Sequence, residues 1–182
     1  MDPIEVLMAE HRCIERMLKV LTVVAEQVEV EVDYDSFEKA IDFIQNFSDK
    51  FHHAKEEGEF FPLIESKGIP KESGPIAMML QEHDIGRNYV KGLVDSLSKY
   101  KEGDKSQSTA ISSNAQGFVN LLAEHIMKED NILYPMGNQV ISDQDRSSLI
   151  QRFNEIAKDA GESVPEKYHK LVNDLEKKFN IS

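Results

Sequence analysis

A doubled histidine–glutamate motif is the feature that most constrains this sequence of 182 residues. The stretch from His52 to Pro62 recurs from His125 to Pro135, so that His-x-x-x-Glu is twice followed by an aromatic residue and a proline. A histidine and a carboxylate four positions apart share one face of a helix. That arrangement lets two side chains reach one metal ion, and the second copy fixes the register of the first.

The repeat extends to the segment that precedes each motif. Glu10-His11 matches Glu82-His83, and the spacing from this lone histidine to the motif histidine is 41 positions in the first half and 42 in the second. The sequence therefore predicts two copies of one helical hairpin. Stacking the two copies would bring six candidate metal ligands together: His11, His52, Glu56, His83, His125 and Glu129.

Apolar residues recur at intervals of three and four along four long segments, which predicts four amphipathic helices. The predicted first residues are Pro3, Asp35, Pro75 and Thr109. The connections between them are short and polar, which favours antiparallel neighbours. We therefore predict an all-α fold, an up-down-up-down four-helix bundle, in which Ile132 and Met136 lie on the core stripe of the fourth helix.

Two shorter helical patterns follow, from Ser142 to about Ala160 and from Pro165 to about Phe179. We expect residues 1–140 to form the bundle and residues 141–182 to form a C-terminal helical hairpin attached to it. The apolar faces of these helices must dock on the bundle, pair with each other, or form a homodimer or a contact with a protein partner. The pattern does not choose among these outcomes.

Charge and hydropathy exclude several classes of partner. The formal net charge of −12 argues against nucleic acid and anionic membrane surfaces, since either needs a clustered cationic face. No apolar run approaches the roughly 18 residues of a membrane helix, and Asp2 and Glu5 stand where a signal peptide carries positive charge. Cys13 is the only cysteine, so no disulfide framework is expected. We predict a cytoplasmic protein.

The six candidates have a plain structural interpretation that must be weighed first. A single histidine on an apolar stripe is more often a hydrogen-bonded core residue than a ligand. Four histidines, however, fall in the core phase of four different helices, and two of them have a carboxylate one turn later. Burying two carboxylates without a cation costs several kcal/mol each or forces them to protonate. A bound metal ion removes that difficulty.

His53 and Glu57 form a competing pair on the second helix. With Phe51 at the centre of the core phase and about 100° per residue, His52 faces the interior better than His53. The repeat agrees, because the counterpart of His53 is an isoleucine. We therefore predict His52 as the ligand and keep His53 as the alternative. Glu57 and Asp130 remain candidates, either as ligands or as carboxylates that support them.

The donor types restrict the metal. Imidazole and carboxylate without thiolate suit iron, manganese or zinc, and two shared carboxylates favour a dinuclear site. Iron is the first choice. Because ligation requires neutral imidazoles, affinity should fall as the pH drops. Gly86, one turn after His83, either opens space for a small ligand or allows close helix packing.

These motifs resemble the hemerythrin-like HHE cation-binding family, and the resemblance covers residues 1 to about 138. It implies a bundle holding two non-haem irons joined by two carboxylates and an oxo or hydroxo group. By the resemblance, Glu56 and Glu129 bridge the irons, and the terminal ligands are His11, His52, His83 and His125. The final carboxylate of the oxygen-carrying hemerythrins corresponds to Asp130, five positions after His125.

One departure from the family pattern concerns the third helix. The oxygen-carrying hemerythrins add a fifth histidine there, at the position that Arg87 occupies in this sequence. The resemblance then leaves the second iron one nitrogen ligand short, so it implies a two-metal site more strongly than oxygen carriage.

The leading functional hypothesis is a di-iron protein that binds or senses dioxygen, peroxide or nitric oxide. The alternative is a di-iron enzyme with peroxidase-like, oxidase-like or iron-donating repair activity. A third class is a metal-dependent interaction protein that recruits a partner through its C-terminal helices.

Overall fold

The described residues of the computed structural model, 2–161 and 163–181, build six helices. Their bounds are Pro3–Glu26 for α1; Tyr34–Phe43, Ile44–His53, Glu56–Phe60 and Phe61–Ser66 for the consecutive parts of α2; Pro75–Lys101 for α3; Ser108–Lys128, Glu129–Leu133 and Tyr134–Val140 for the consecutive parts of α4; Asp143–Ala160 for α5; and Val164–Phe179 for α6. In the bundle, α1 packs against α2 and α4, and α3 packs against the same two helices. The predicted all-α four-helix bundle is confirmed.

Local sequence explains where the helices begin and end. The second helix begins at Tyr34 with Asp33 as its cap, because the Asp33 carboxylate accepts a hydrogen bond from the Ser36 N–H at 3.1 Å. The predicted start at Asp35 is therefore wrong by one residue. Gly68 adopts a φ of +103° just beyond the end of α2, where a side chain would be strained. Pro75 occupies the first turn of α3, as expected.

The α2 and α4 helices both contain π-helical turns, in which the hydrogen bond spans five residues instead of four. The Glu56 carbonyl accepts from the Phe61 N–H, and the Glu129 carbonyl accepts from the Tyr134 N–H. A longer π-helical segment, Ile44–His53, precedes the first of these turns. Both widened turns therefore start at the glutamates of the doubled motif.

The π-helical turn in α4 changes which residues face the core. The sequence predicted Ile132 and Met136 on the buried stripe, but they are 52% and 36% exposed. Leu133 and Gly137 are buried in their place. The extra residue in the turn Glu129–Leu133 shifts the stripe by one position, which a regular period of 3.6 does not anticipate.

Two apolar clusters fill the bundle, one on each side of a polar layer. The first contains Phe37, Phe43, Phe47, Phe51, Leu93, Ile111 and Phe118, among others. The second contains Ile4, Leu7, Phe60, Phe61, Ile76, Leu133 and Tyr134, among others. The histidines and glutamates of the motifs lie between these clusters, so the polar layer is shielded from water along the bundle axis.

The C-terminal helices α5 and α6 dock on the bundle and complete both clusters. Leu149 and Phe153 of α5 join the second cluster, and Tyr168 and Val172 of α6 join the first. Of the three outcomes that the sequence left open, docking on the bundle accounts for these apolar faces. A homodimer or a protein partner at these helices stays a prediction, and it would have to use their outer surfaces.

No helix in the described ranges is long and apolar enough to cross a membrane.

Candidate metal centre

Two groups of histidine and glutamate side chains meet in the polar layer. Within each group the ligand-capable atoms all lie within 4.8 Å of one another. The first group is His53, Glu56, His83 and His125, and the second is His11, His52, Glu56 and Glu129. Glu56 belongs to both, and Glu129 Oε2 lies 3.2 Å from Nε2 of both His11 and His125. The two carboxylates therefore connect the two groups.

All six residues predicted as ligands belong to these groups, and His53 joins them. His52 and His53 are 1% and 7% exposed, and the His53 ring stacks on the His83 ring at 3.7 Å between centroids. The sequence argument that turned His53 away from the interior is wrong, because three consecutive residues, Phe51, His52 and His53, are all buried. They end the π-helical segment Ile44–His53, to which the regular spacing of an α-helix does not apply.

Each of the five imidazoles has a carboxylate at Nδ1. The pairs are His11 with Asp130 at 2.7 Å, His52 with Glu10 at 3.0 Å, His53 with Asp49 at 3.4 Å, His83 with Glu57 at 2.6 Å, and His125 with Glu82 at 3.0 Å. A carboxylate at Nδ1 holds the proton there and directs the Nε2 lone pair elsewhere. In four of the five rings, Nε2 is the atom that approaches the shared glutamates.

Glu57 and Asp130, which the sequence left as either ligands or supporting carboxylates, lie outside the two groups. The three further carboxylates, those of Glu10, Glu82 and Asp49, were not predicted. A signal for the first two was present, since a glutamate precedes the lone histidine in both copies of the repeat. That repetition was used only to align the halves.

Cations stand behind these carboxylates in matching positions. Lys55 donates to Glu10, and its counterpart Lys128 donates to Glu82. The Lys55 ammonium is 2% exposed and lies 3.5 Å from the centre of the Phe51 ring. Burying a charged ammonium group costs several kcal/mol, so a buried lysine needs a nearby carboxylate that compensates its charge. Burial opposes the charge of Glu82, but hydrogen bonds from His125 and Lys128 outweigh it and lower the pKa of Glu82. At Glu10, burial outweighs the charge of Lys55 and raises the pKa.

Arg87 occupies the position where the resemblance predicted a missing histidine, and it has a supporting role. Its guanidinium donates to Asp49 at 2.8 Å and to Glu57 at 2.7 Å. These are the carboxylates at Nδ1 of His53 and His83. The expected shortage of one nitrogen donor does not follow, because His53 brings a fifth imidazole into the cluster.

Unpaired buried atoms test whether the cluster suits a metal ion. His52 Nε2, Glu56 Oε2 and both side-chain oxygens of Glu129 are buried without a hydrogen-bond partner in the described part of the chain. Orphaned polar atoms of this kind are rare in folded proteins and costly. Here they are nitrogen and oxygen donors that face one another. The donor set therefore fits cations held between the two carboxylates.

The pKa shifts of two histidines also show that the cluster favours positive charge. Burial opposes the charged form of His125, but Glu129 and Glu82 outweigh it and raise the pKa of His125 to about 9. Burial likewise opposes the charge on His11, but its hydrogen bond to Asp130 and the negative charge of Glu129 outweigh burial and raise the pKa of His11. Without a metal ion, protons on these two imidazoles neutralise Glu129.

Glu56 and His53 are held neutral, whereas Glu129 is ionised. Burial, reinforced by the charge of Glu129, raises the pKa of Glu56 well above its usual value. Burial, together with the charge of His83, lowers the pKa of His53 to about 3. Burial would also raise the pKa of Glu129, but His125 and His11 outweigh it and lower that pKa well below the usual range.

A tyrosine distinguishes the two sides of the cluster. The Tyr134 hydroxyl donates to Glu56 Oε1 at 2.6 Å and lies 3.2 Å from His11 Nε2. Its ring stacks on His11 at 5.3 Å, as its counterpart Phe61 stacks on His83 at 6.2 Å. The phenol therefore stands beside the group with two imidazoles, whereas the group with three imidazoles faces an apolar ring.

Comparison with known proteins agrees with this geometry. Residues 2–137 match the hemerythrin HHE cation binding domain. The chain belongs to this family. The HHE domain thus covers the bundle and all the histidines of the cluster, and the chain is a hemerythrin-like metal-binding protein.

Individual relatives match a shorter part of the chain than the family does. It is 36% identical over 87 residues to the iron-sulfur cluster repair protein YtfE of Yersinia pestis strain Pestoides F. The same identity and length hold for the protein of that name from Yersinia pseudotuberculosis serotype O:1b. The matched segment is 46% of this chain but only 39% of the length of those relatives.

We predict that Glu82→Gln weakens metal binding about 10-fold to 100-fold, because an amide orients His125 less firmly and leaves Lys128 unpaired. Competition with a chelator for Fe²⁺ measures the change. Glu124→Gln makes the same substitution at an exposed position one residue from His125 and serves as the control. Equal affinities for the two variants would contradict the orienting role of Glu82.

We also predict that metal uptake releases protons. The pKa values of His11, His125 and Glu56 are all raised without a metal, so these groups keep their protons to higher pH than usual and a cation must displace them. Apparent affinity should therefore rise with pH, until His125 loses its proton near its pKa of about 9. Titration with a pH indicator in weak buffer measures the release, and constant affinity across this range would refute it.

Proposed function

We propose that this domain holds two iron ions and binds a small molecule, such as dioxygen, peroxide or nitric oxide, at one of them. The observation that carries the proposal is the pair of donor groups that share Glu56, with Glu129 in contact with both. We prefer iron to manganese or zinc for two reasons. The site offers imidazole and carboxylate donors, and the name of the relatives refers to iron. A cytoplasmic location stays a prediction of the sequence.

The two positions are unequal in donors. His53, His83 and His125 would supply three imidazoles to one ion, and His11 and His52 would supply two to the other. Iron supplies Lewis acidity and a change of oxidation state to a bound small molecule. The position with fewer imidazoles leaves more room for such a molecule, and we assign small-molecule binding to that side.

The surrounding residues suit this assignment. The Tyr134 hydroxyl lies on the side of His11 and His52, and it is a hydrogen-bond donor within a fully buried layer. Burial and the charges of Glu129 and Glu56 raise the pKa of Tyr134 well above its usual value, so the phenol keeps its proton. The Tyr134 hydroxyl can therefore donate a hydrogen bond to a bound small molecule that replaces Glu56 as its acceptor.

Metal analysis tests the proposal directly. Protein from iron-supplemented cells should contain about two irons per chain and should change its absorption spectrum when azide, nitric oxide or dioxygen is added. Glu56→Ala should lower the iron content sharply, because Glu56 belongs to both groups. His169→Ala, at an exposed histidine outside the cluster, should retain both ions. One iron per chain, or full iron content in Glu56→Ala, would exclude the shared-carboxylate site.

A second prediction concerns Tyr134. Tyr134→Phe should keep the iron content and weaken azide or nitric oxide binding about fivefold, which is the net value of one hydrogen bond. Phe61→Leu, at the counterpart ring beside His83, should leave the affinity for these molecules nearly unchanged. A larger effect from the Phe61 substitution would place binding on the other side of the cluster.

Iron-donating repair is the second candidate function, and the match to relatives named iron-sulfur cluster repair proteins favours it. Because those relatives extend well beyond the matched segment, the assignment rests on the shared part alone. Iron retained by the loaded protein in the presence of an iron-sulfur protein that lacks its cluster favours small-molecule binding. Transfer of the iron would favour repair, and turnover of hydrogen peroxide would favour an enzyme.

A further inference from the structure

A cavity of about 300 Å³ lies beside the imidazoles of His53 and His83. His11 and Tyr134, which contact each other, are not among its lining residues. Segments of α2, α3 and α4 form its walls. The apolar part of the wall consists of Ile44, Val90, Val94, Phe118 and Leu122. The cavity is thus a mainly apolar chamber that borders the donor cluster and shares His53 and His83 with it.

Ser48 gives this chamber one buried polar group. The residue lines the cavity and is 1% exposed, and its Oγ has no hydrogen-bond partner among the described residues. A helical serine ordinarily bonds a carbonyl one turn back, as Ser96 does with the Gly92 carbonyl at 2.8 Å. An unpaired buried hydroxyl destabilises the fold. A ligand with one polar group would remove that penalty.

The volume indicates the size of such a ligand. An engineered apolar cavity of about 150 Å³ takes up benzene, so this chamber has room for a substituted aromatic ring. Gly86 contributes to the space, because a Cβ there would lie 3.6 Å from Phe118 Cε2, in ordinary contact. A larger side chain at this position would extend from that point into the chamber. Close helix packing therefore does not require a glycine at position 86, and the residue lines the cavity.

Charge indicates the kind of ligand. The Arg87 guanidinium at the rim already donates to Asp49, Glu57 and Asp84. The charged residues of the lining comprise two of each sign, Asp49, Glu82, Arg87 and Lys91, and the chain as a whole carries a net charge of −12. Both facts disfavour a carboxylate or a phosphate and favour an uncharged molecule.

We propose that this cavity binds an uncharged organic molecule about the size of one substituted aromatic ring, whose single hydroxyl group pairs with Ser48. The binding site goes beyond the proposed function, because its walls and its polar group are complete without a metal ion. Its occupant would lie against His53 and His83 and so against the group with three imidazoles.

The test uses 4-fluorophenol as the probe and fluorobenzene as its apolar match, followed by fluorine NMR on the full chain with and without iron. We expect saturable binding of both probes. Ser48→Ala should lower the affinity for 4-fluorophenol about fivefold, the equivalent of about 1 kcal/mol, and leave the affinity for fluorobenzene unchanged. Gly86→Leu should abolish binding of both, whereas Gly86→Ala should retain it.

The controls separate binding from folding. Ser48→Ala should melt no lower than the wild type, because it removes an unpaired buried hydroxyl. The helical circular dichroism signal checks that Gly86→Leu is folded. If this variant is unfolded, the comparison of 4-fluorophenol affinity between the wild type and Ser48→Ala tests the proposal. No saturable binding to the wild type, equal 4-fluorophenol affinity in Ser48→Ala, or unchanged affinity in folded Gly86→Leu would each overturn the proposal.

The metal proposal and the cavity proposal fail separately in this experiment. A chain that takes up no iron but binds 4-fluorophenol contradicts only the di-iron site. A chain that holds iron but binds neither probe contradicts only the cavity.

Discussion

The burial of two carboxylates among five imidazoles is the interaction on which the rest of the structure depends. Glu56 and Glu129 are fully buried between two apolar clusters, where an uncompensated negative charge would be costly. Protons on His11 and His125 compensate it in part, and two cations would do so more fully. The outer carboxylates, with the two lysines and Arg87 behind them, hold the imidazoles in the orientation that this compensation requires.

The two halves of the bundle follow one plan, and two differences between them fall on opposite sides of the cluster. One half has His53 where the other has Ile126, which adds an imidazole to the group that contains His83 and His125. The second half has Tyr134 where the first has Phe61, which adds a hydroxyl beside His11. One side is therefore rich in nitrogen donors, and the other has a proton donor. This asymmetry supports the assignment of different tasks to the two sides.

Regular periodicity was enough to predict the four-helix bundle, and internal repetition was enough to predict six residues of the cluster. Two of the errors fall in π-helical segments. Treating α2 and α4 as uniform helices turned His53 outward and placed Ile132 in the core, whereas His53 is buried and Ile132 is exposed. Such turns depend on tertiary packing and leave no clear period in the sequence. Asp49 was missed for a related reason, since its role depends on where His53 points.

The supporting carboxylates also cross between the two halves of the repeat. Glu57 of the first hairpin orients His83 of the second, and Asp130 of the second orients His11 of the first. Neither hairpin alone contains all the groups that its own histidines need. A single hairpin of this kind could complete the cluster only by pairing with a second copy of itself. The duplicated chain therefore has the architecture expected of an ancestral homodimer whose two subunits became covalently joined, after which the two halves were free to diverge.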